Sequence, residues 1–115
     1  VYVRQSLLSG ARAIVPALWH LEVANWFAIA ERRGVLNESE ADLVLSAFDV
    51  IIAQAVDTDP DIASIRQVLT VASRFQLSAY DAAYLDLARH ASLPLATLDE
   101  RLRAAAKKAG VELFQ

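Results

Sequence analysis

The chain has 115 residues, 56% of them hydrophobic, with three Gly, three Pro and no Cys; that suffices for one domain around one core and excludes a disulfide framework, a thiolate metal site and a Cys nucleophile. Its net charge of −3 argues against holding nucleic acid by bulk electrostatics, although a nuclease whose metal ions bridge its acids to phosphates is not excluded. No apolar run approaches the roughly 20 residues that span a bilayer, no signal peptide is visible, and the lack of Cys fits a reducing cytoplasm.

Residues 2–10 carry a short helical pattern closed by Gly10, and Ala13-Ile14-Val15 reads as a brief strand ending at Pro16, a residue suited to the first helical position. Segment 16–33 has helical periodicity, with Leu18, Glu22, Asn25, Trp26 and Ile29 along one stripe and Gly34 as its stop. Asn37 with Glu40 forms a capping-box signature that opens a helix through Phe48. Val50-Ile51-Ile52-Ala53 reads as an apolar strand, and Asp57-Thr58-Asp59-Pro60 as a turn.

A helix is predicted over 61–75, with Ile62, Ile65, Val68, Leu69 and Ala72 inward, and another from Ser78 to about His90. The run 93–98 reads as a short buried strand, Asp99 begins a helix to about Lys108, Gly110 ends it, and 111–114 closes as a strand. Helices alternating with short apolar strands indicate an α/β domain with a largely parallel sheet covered on both faces.

Glu22, Asp81 and Asp99 each stand where the local pattern expects something else. Glu22 interrupts an apolar stripe between Trp19 and Trp26; it points inward, reaches past the aromatics to solvent, or pairs with an Arg. Asp81 aligns with Tyr84, Leu85 and Ala88, yet Ser78 to Asp81 also has capping-box spacing. Asp99 ends an apolar run at the carboxyl end of a predicted strand, where ligands of such sheets bind, and equally suits an N-cap. Jointly, such acids suit Mg²⁺ or Mn²⁺, hard cations that prefer carboxylate oxygens and can activate water for phosphodiester hydrolysis. His20 and His90 are isolated on their helices and read as ordinary surface or core residues.

The segments 16–25 (PALWHLEVAN), 77–84 (LSAYDAAY) and 95–102 (LATLDERL) resemble the PIN-domain family, and among its members the VapC-type toxins of bacterial toxin–antitoxin pairs. The resemblance extends over essentially the whole chain, with the segments in the family's order. It implies a PIN-like α/β/α sandwich and a Mg²⁺- or Mn²⁺-dependent endoribonuclease with an RNA substrate. It also implies a homodimer and an antitoxin partner of the VapB type. Glu22, Asp81 and Asp99 match the family's second, third and fourth metal-site acids, Thr97 the hydroxyl residue beside the last, and Asn25 a recurrent position near the site. The family's first acid lies on an N-terminal strand. This chain begins at Val1, has no Met and carries no acid before Glu22, so the first strand and its acid are expected to be missing from it.

Arg101, Arg103, Lys107 and Lys108 on the last predicted helix are candidate RNA contacts, or simply cations near a helix C-terminus. The competing function is a non-catalytic interaction module, in which Trp19, Trp26, Phe27, Leu43, Val44 and Phe48 form a dimer face or an antitoxin groove.

Overall fold

A computed structural model describes residues 12–61 and 64–114; the predicted helix at 2–10 and the inward placement of Ile62 lie outside them. The described residues form strands β1 (Ala13–Val15) and β2 (Val56–Thr58) and helices α1 (Leu18–Arg32), α2 (Glu38–Ala55), α3 (Ile65–Phe75), α4 (Ala79–Ala91) and α5 (Glu100–Ala109).

The strands pair in parallel, Ala13 opposite Val56 and Val15 opposite Thr58. The crossover that a parallel pair requires carries α1 and α2. At the start of the pair the Arg12 guanidinium grips both oxygens of Asp57, at 2.9 and 2.8 Å. That contact raises the Arg12 pKa and lowers that of Asp57.

Local chemistry fixes most helix ends. At Asn37 the side chain accepts from the Glu40 amide while Glu40 accepts from the Asn37 amide, a complete capping box. Gly34, at φ +72°, takes the left-handed position after α1, and Val35 N–H donates back to Ala30 O at 2.9 Å. Ser64, Ser78 and Asp99 cap α3, α4 and α5, and Gly110 closes α5 at φ +76°.

Several expectations are corrected. The helix that opens at Asn37 runs to Ala55, so Val50-Ile51-Ile52-Ala53 is helical and the strand begins at Val56. A short apolar run fits either a buried strand or a helix segment, and here nothing breaks the turn. Helix α1 starts at Leu18, with Pro16 in the turn before it. Helix α3 starts at Ile65, and Ile65 and Leu69 are exposed, 87% and 62%, while Val71 is buried. Of the strands predicted at 93–98 and 111–114 one parallel bridge remains, Leu95 to Leu113. Pro94 has no N–H with which to extend it.

Val71, Leu77, Ala82, Leu85, Ala88, Leu95, Leu102, Ala105 and Ala106 form one buried cluster. Helix α4 packs most extensively on α3, and Leu85 fills the centre of the cluster at 0% exposure. Between helices α1 and α2, Phe27 and Phe48 pack edge to face with centroids 6.0 Å apart. Leu21, Trp26, Leu43, Val50 and Ile51 remain on their exposed faces.

Candidate functional site

Glu22 does not enter a core. It is exposed on α1, because that helix buries only Phe27 and Ala30. Its carboxylate accepts a hydrogen bond from the Tyr84 hydroxyl on α4. Among the predicted sites this is the contact that brings distant parts of the chain together.

Asp81 lies in the first turn of α4, half-buried. Ser78 Oγ accepts from the Asp81 amide at 3.1 Å, so one half of the predicted capping box forms. The Asp81 carboxylate takes part in no hydrogen bond among the described residues. The Tyr84 hydroxyl, one helical turn on, donates to Glu22 and not to Asp81. Burial first, then the bond to Glu22, then the two carboxylate charges push the Tyr84 pKa well above its ordinary value. Tyr84 was legible only as a member of the Asp81 stripe, three residues on; its partner on α1 leaves no trace in local sequence.

Asp99 has a structural task. As the N-cap of α5 its Oδ1 accepts from the Leu102 amide at 2.8 Å, and its own amide donates to Thr97 Oγ1 at 3.1 Å. Thr97 thus shapes the turn that presents Asp99. Arg103 is half-buried and donates to the Thr97 carbonyl at 3.1 Å, which ties this cation to the same turn. Arg101, Lys107 and Lys108 are exposed. Asn25 is exposed on α1.

The histidines are engaged elsewhere. His20 Nε2 lies 2.8 Å from Thr58 Oγ1 and joins α1 to the end of β2. His90 Nδ1 lies 2.9 Å from the Asp86 carbonyl one turn earlier.

The geometry therefore joins Glu22 to Tyr84, three residues beyond Asp81 on α4, and sets Asp99 at the head of α5. Carboxylate oxygens suit a hard divalent cation. Among the described residues, however, no three His, Cys, Asp or Glu side chains gather into a metal-binding group. The described acids do not by themselves make a complete Mg²⁺ or Mn²⁺ site.

No family model and no curated protein matches the chain. Among solved structures it is similar to PAE2754 from Pyrobaculum aerophilum, at 23% sequence identity and a TM-score of 0.72, over 89% of this chain and 67% of that one. At that identity the likeness is one of fold.

Proposed function

We propose that this chain is a PIN-like α/β/α nuclease domain of the VapC type, a metal-dependent endoribonuclease that acts as the toxin of a toxin–antitoxin pair. The observation that carries the reading is the Tyr84–Glu22 bond, which ties α1 to the helix that bears Asp81. Glu22 of α1 is tied to α4 by that bond, and the Asp81 carboxylate in the first turn of α4 takes part in no capping hydrogen bond among the described residues. Tyr84 stays protonated and holds the Glu22 carboxylate toward α4. Asp99 spends one oxygen on its cap and leaves the other available. Mg²⁺ is often held by one or two protein carboxylates together with water and substrate phosphate. The missing share of the site would then come from outside the described residues.

The test is cleavage of a labelled RNA with Mg²⁺ or Mn²⁺, with EDTA, and by Asp81→Asn. That variant removes no hydrogen bond, so its fold should persist. Activity should fall at least ~10–100-fold, the loss typical when even outer partners of a metal site are removed. Cleavage that survives both EDTA and Asp81→Asn refutes the proposal.

A second reading, the non-catalytic interaction module, is favoured by exposed apolar side chains on α1 and α2. Leu21, Trp26, Leu43 and Val50 are 75%, 58%, 72% and 56% exposed there. Such a face suits a second copy of the chain or an apolar helix of a VapB-type antitoxin. Both readings hold in a complete toxin. Among the described residues no helix is long and apolar enough to cross a membrane.

A further inference from the structure

Charge is divided unevenly along the fold. Residues 12–61 carry nine acidic and three basic side chains, whereas residues 64–114 carry five acidic and seven basic. An acidic protein thus has one cationic part, built from α3, α4 and α5. Within it a hollow of about 550 Å³ lies between α3 and α4, with Arg66 and Gln67 on one wall and Arg89 and His90 on the other.

Arg66 and Arg89 are exposed, and among the described residues neither is ion-paired. The acid in the hollow, Asp86, lies 3.4 Å from His90 Nδ1 and has only 15% of its side chain exposed. Thr70 spends its hydroxyl proton on the Arg66 carbonyl at 2.8 Å and forms floor. Gln67 Nε2 faces His90 Nε2 across the hollow at 3.5 Å. Arg89 also borders a second hollow of about 540 Å³, which runs past Pro94 and Gly110 to Glu112.

From this geometry we infer that the α3–α4 groove is a track for the phosphodiester backbone of single-stranded RNA, with Arg66 and Arg89 as its phosphate contacts. Two guanidiniums on opposite walls suit successive phosphates of a chain better than one small anion. Arg89 lies eight residues beyond Asp81 on the same helix, about 12 Å along its axis. The groove thus lies at the C-terminal end of α4, the end away from Asp81. The choice of RNA as occupant rests on the nuclease reading; the cationic groove does not.

The test is fluorescence anisotropy of a labelled single-stranded RNA with the whole chain in EDTA, so that binding is read without cleavage. The double variant Arg66→Ala/Arg89→Ala is compared with wild type and with Arg32→Ala, an exposed cation of the acidic part. Removing two phosphate contacts should weaken binding about tenfold near 0.1 M salt and make the slope of log K against log salt shallower by about 1.4. Arg32→Ala should leave both unchanged. An unchanged double variant, an equal loss in Arg32→Ala, or a wild type that binds an acidic peptide and no RNA overturns the proposal. Groove-dependent binding without cleavage in Mg²⁺ sinks the nuclease reading alone, whereas cleavage with binding indifferent to the groove sinks the groove alone.

Discussion

Tyr84→Phe removes one oxygen and with it the hydrogen bond that joins α4 to Glu22 of α1. Bonds to a charged partner contribute about 1.5–3 kcal/mol net. Glu22 is exposed, and its carboxylate regains water when the donor is gone, so the loss should be nearer ~1 kcal/mol. Unfolding entropy of about 2.1 cal/mol/K per residue gives roughly 0.24 kcal/mol/K for 115 residues. A scanning-calorimetry Tm at neutral pH should therefore fall by about 4 °C. The pH dependence adds a second, independent sign. The folded Tyr84 pKa is raised, whereas in the unfolded chain the phenol ionises near pH ~10. Between those values the folded protein binds more protons than the unfolded one, so stability falls as pH rises. Wild type should keep its full advantage over Tyr84→Phe up to about pH 9 and lose it progressively above about pH 10. A Tm within about 1 °C of wild type, or a gap that widens in alkali, would refute the junction.

Asp99→Ala should cost about 1 kcal/mol in urea unfolding through the lost N-cap. Asp99→Asn keeps the accepting oxygen, so it should stay within about 0.5 kcal/mol of wild type and yet abolish RNA cleavage if the acid also serves the metal. Leu85→Ala should lose about 2–5 kcal/mol from the centre of the core. By contrast, Ile65→Ser and Leu69→Ser should each change stability by no more than about 0.5 kcal/mol, which thermal melts can separate. Leu43→Glu, on the apolar face of α2, should leave the melt unchanged and shift light-scattering mass toward the monomer; an unchanged mass argues against that face as a dimer contact.

The helix ends were the most legible part of the sequence, because each is decided by one or two residues. Asn37 with Glu40, Ser78, Asp99, Gly34 and Gly110 all act where their local chemistry places them. Faces and strands were less legible because neighbours decide them. In α3 the stripes 65-68-69-72 and 68-71-72-75 both fit a helix; packing against Leu77 and Leu85 selects the second. In α2 the run Val50-Ile51-Ile52-Ala53 fits helix and strand alike. The site divided in the same way. The capping roles of Ser78 and Asp99 were readable, whereas the Glu22–Tyr84 bond spans two helices and needs their packing first. Glu22 turned outward because its helix finds few partners to bury against.

The nine side chains of the central cluster all come from residues 71–106, and α1 and α2 contribute none. Regions with few buried apolar contacts open at lower free energy than the whole. Amide protons of α1 and α2 should thus exchange through partial openings that leave α4 protected, with those around Leu85 released only by global unfolding. A protease acting on the native chain would meet α2 first, and the piece that survives would be the α3–α5 body.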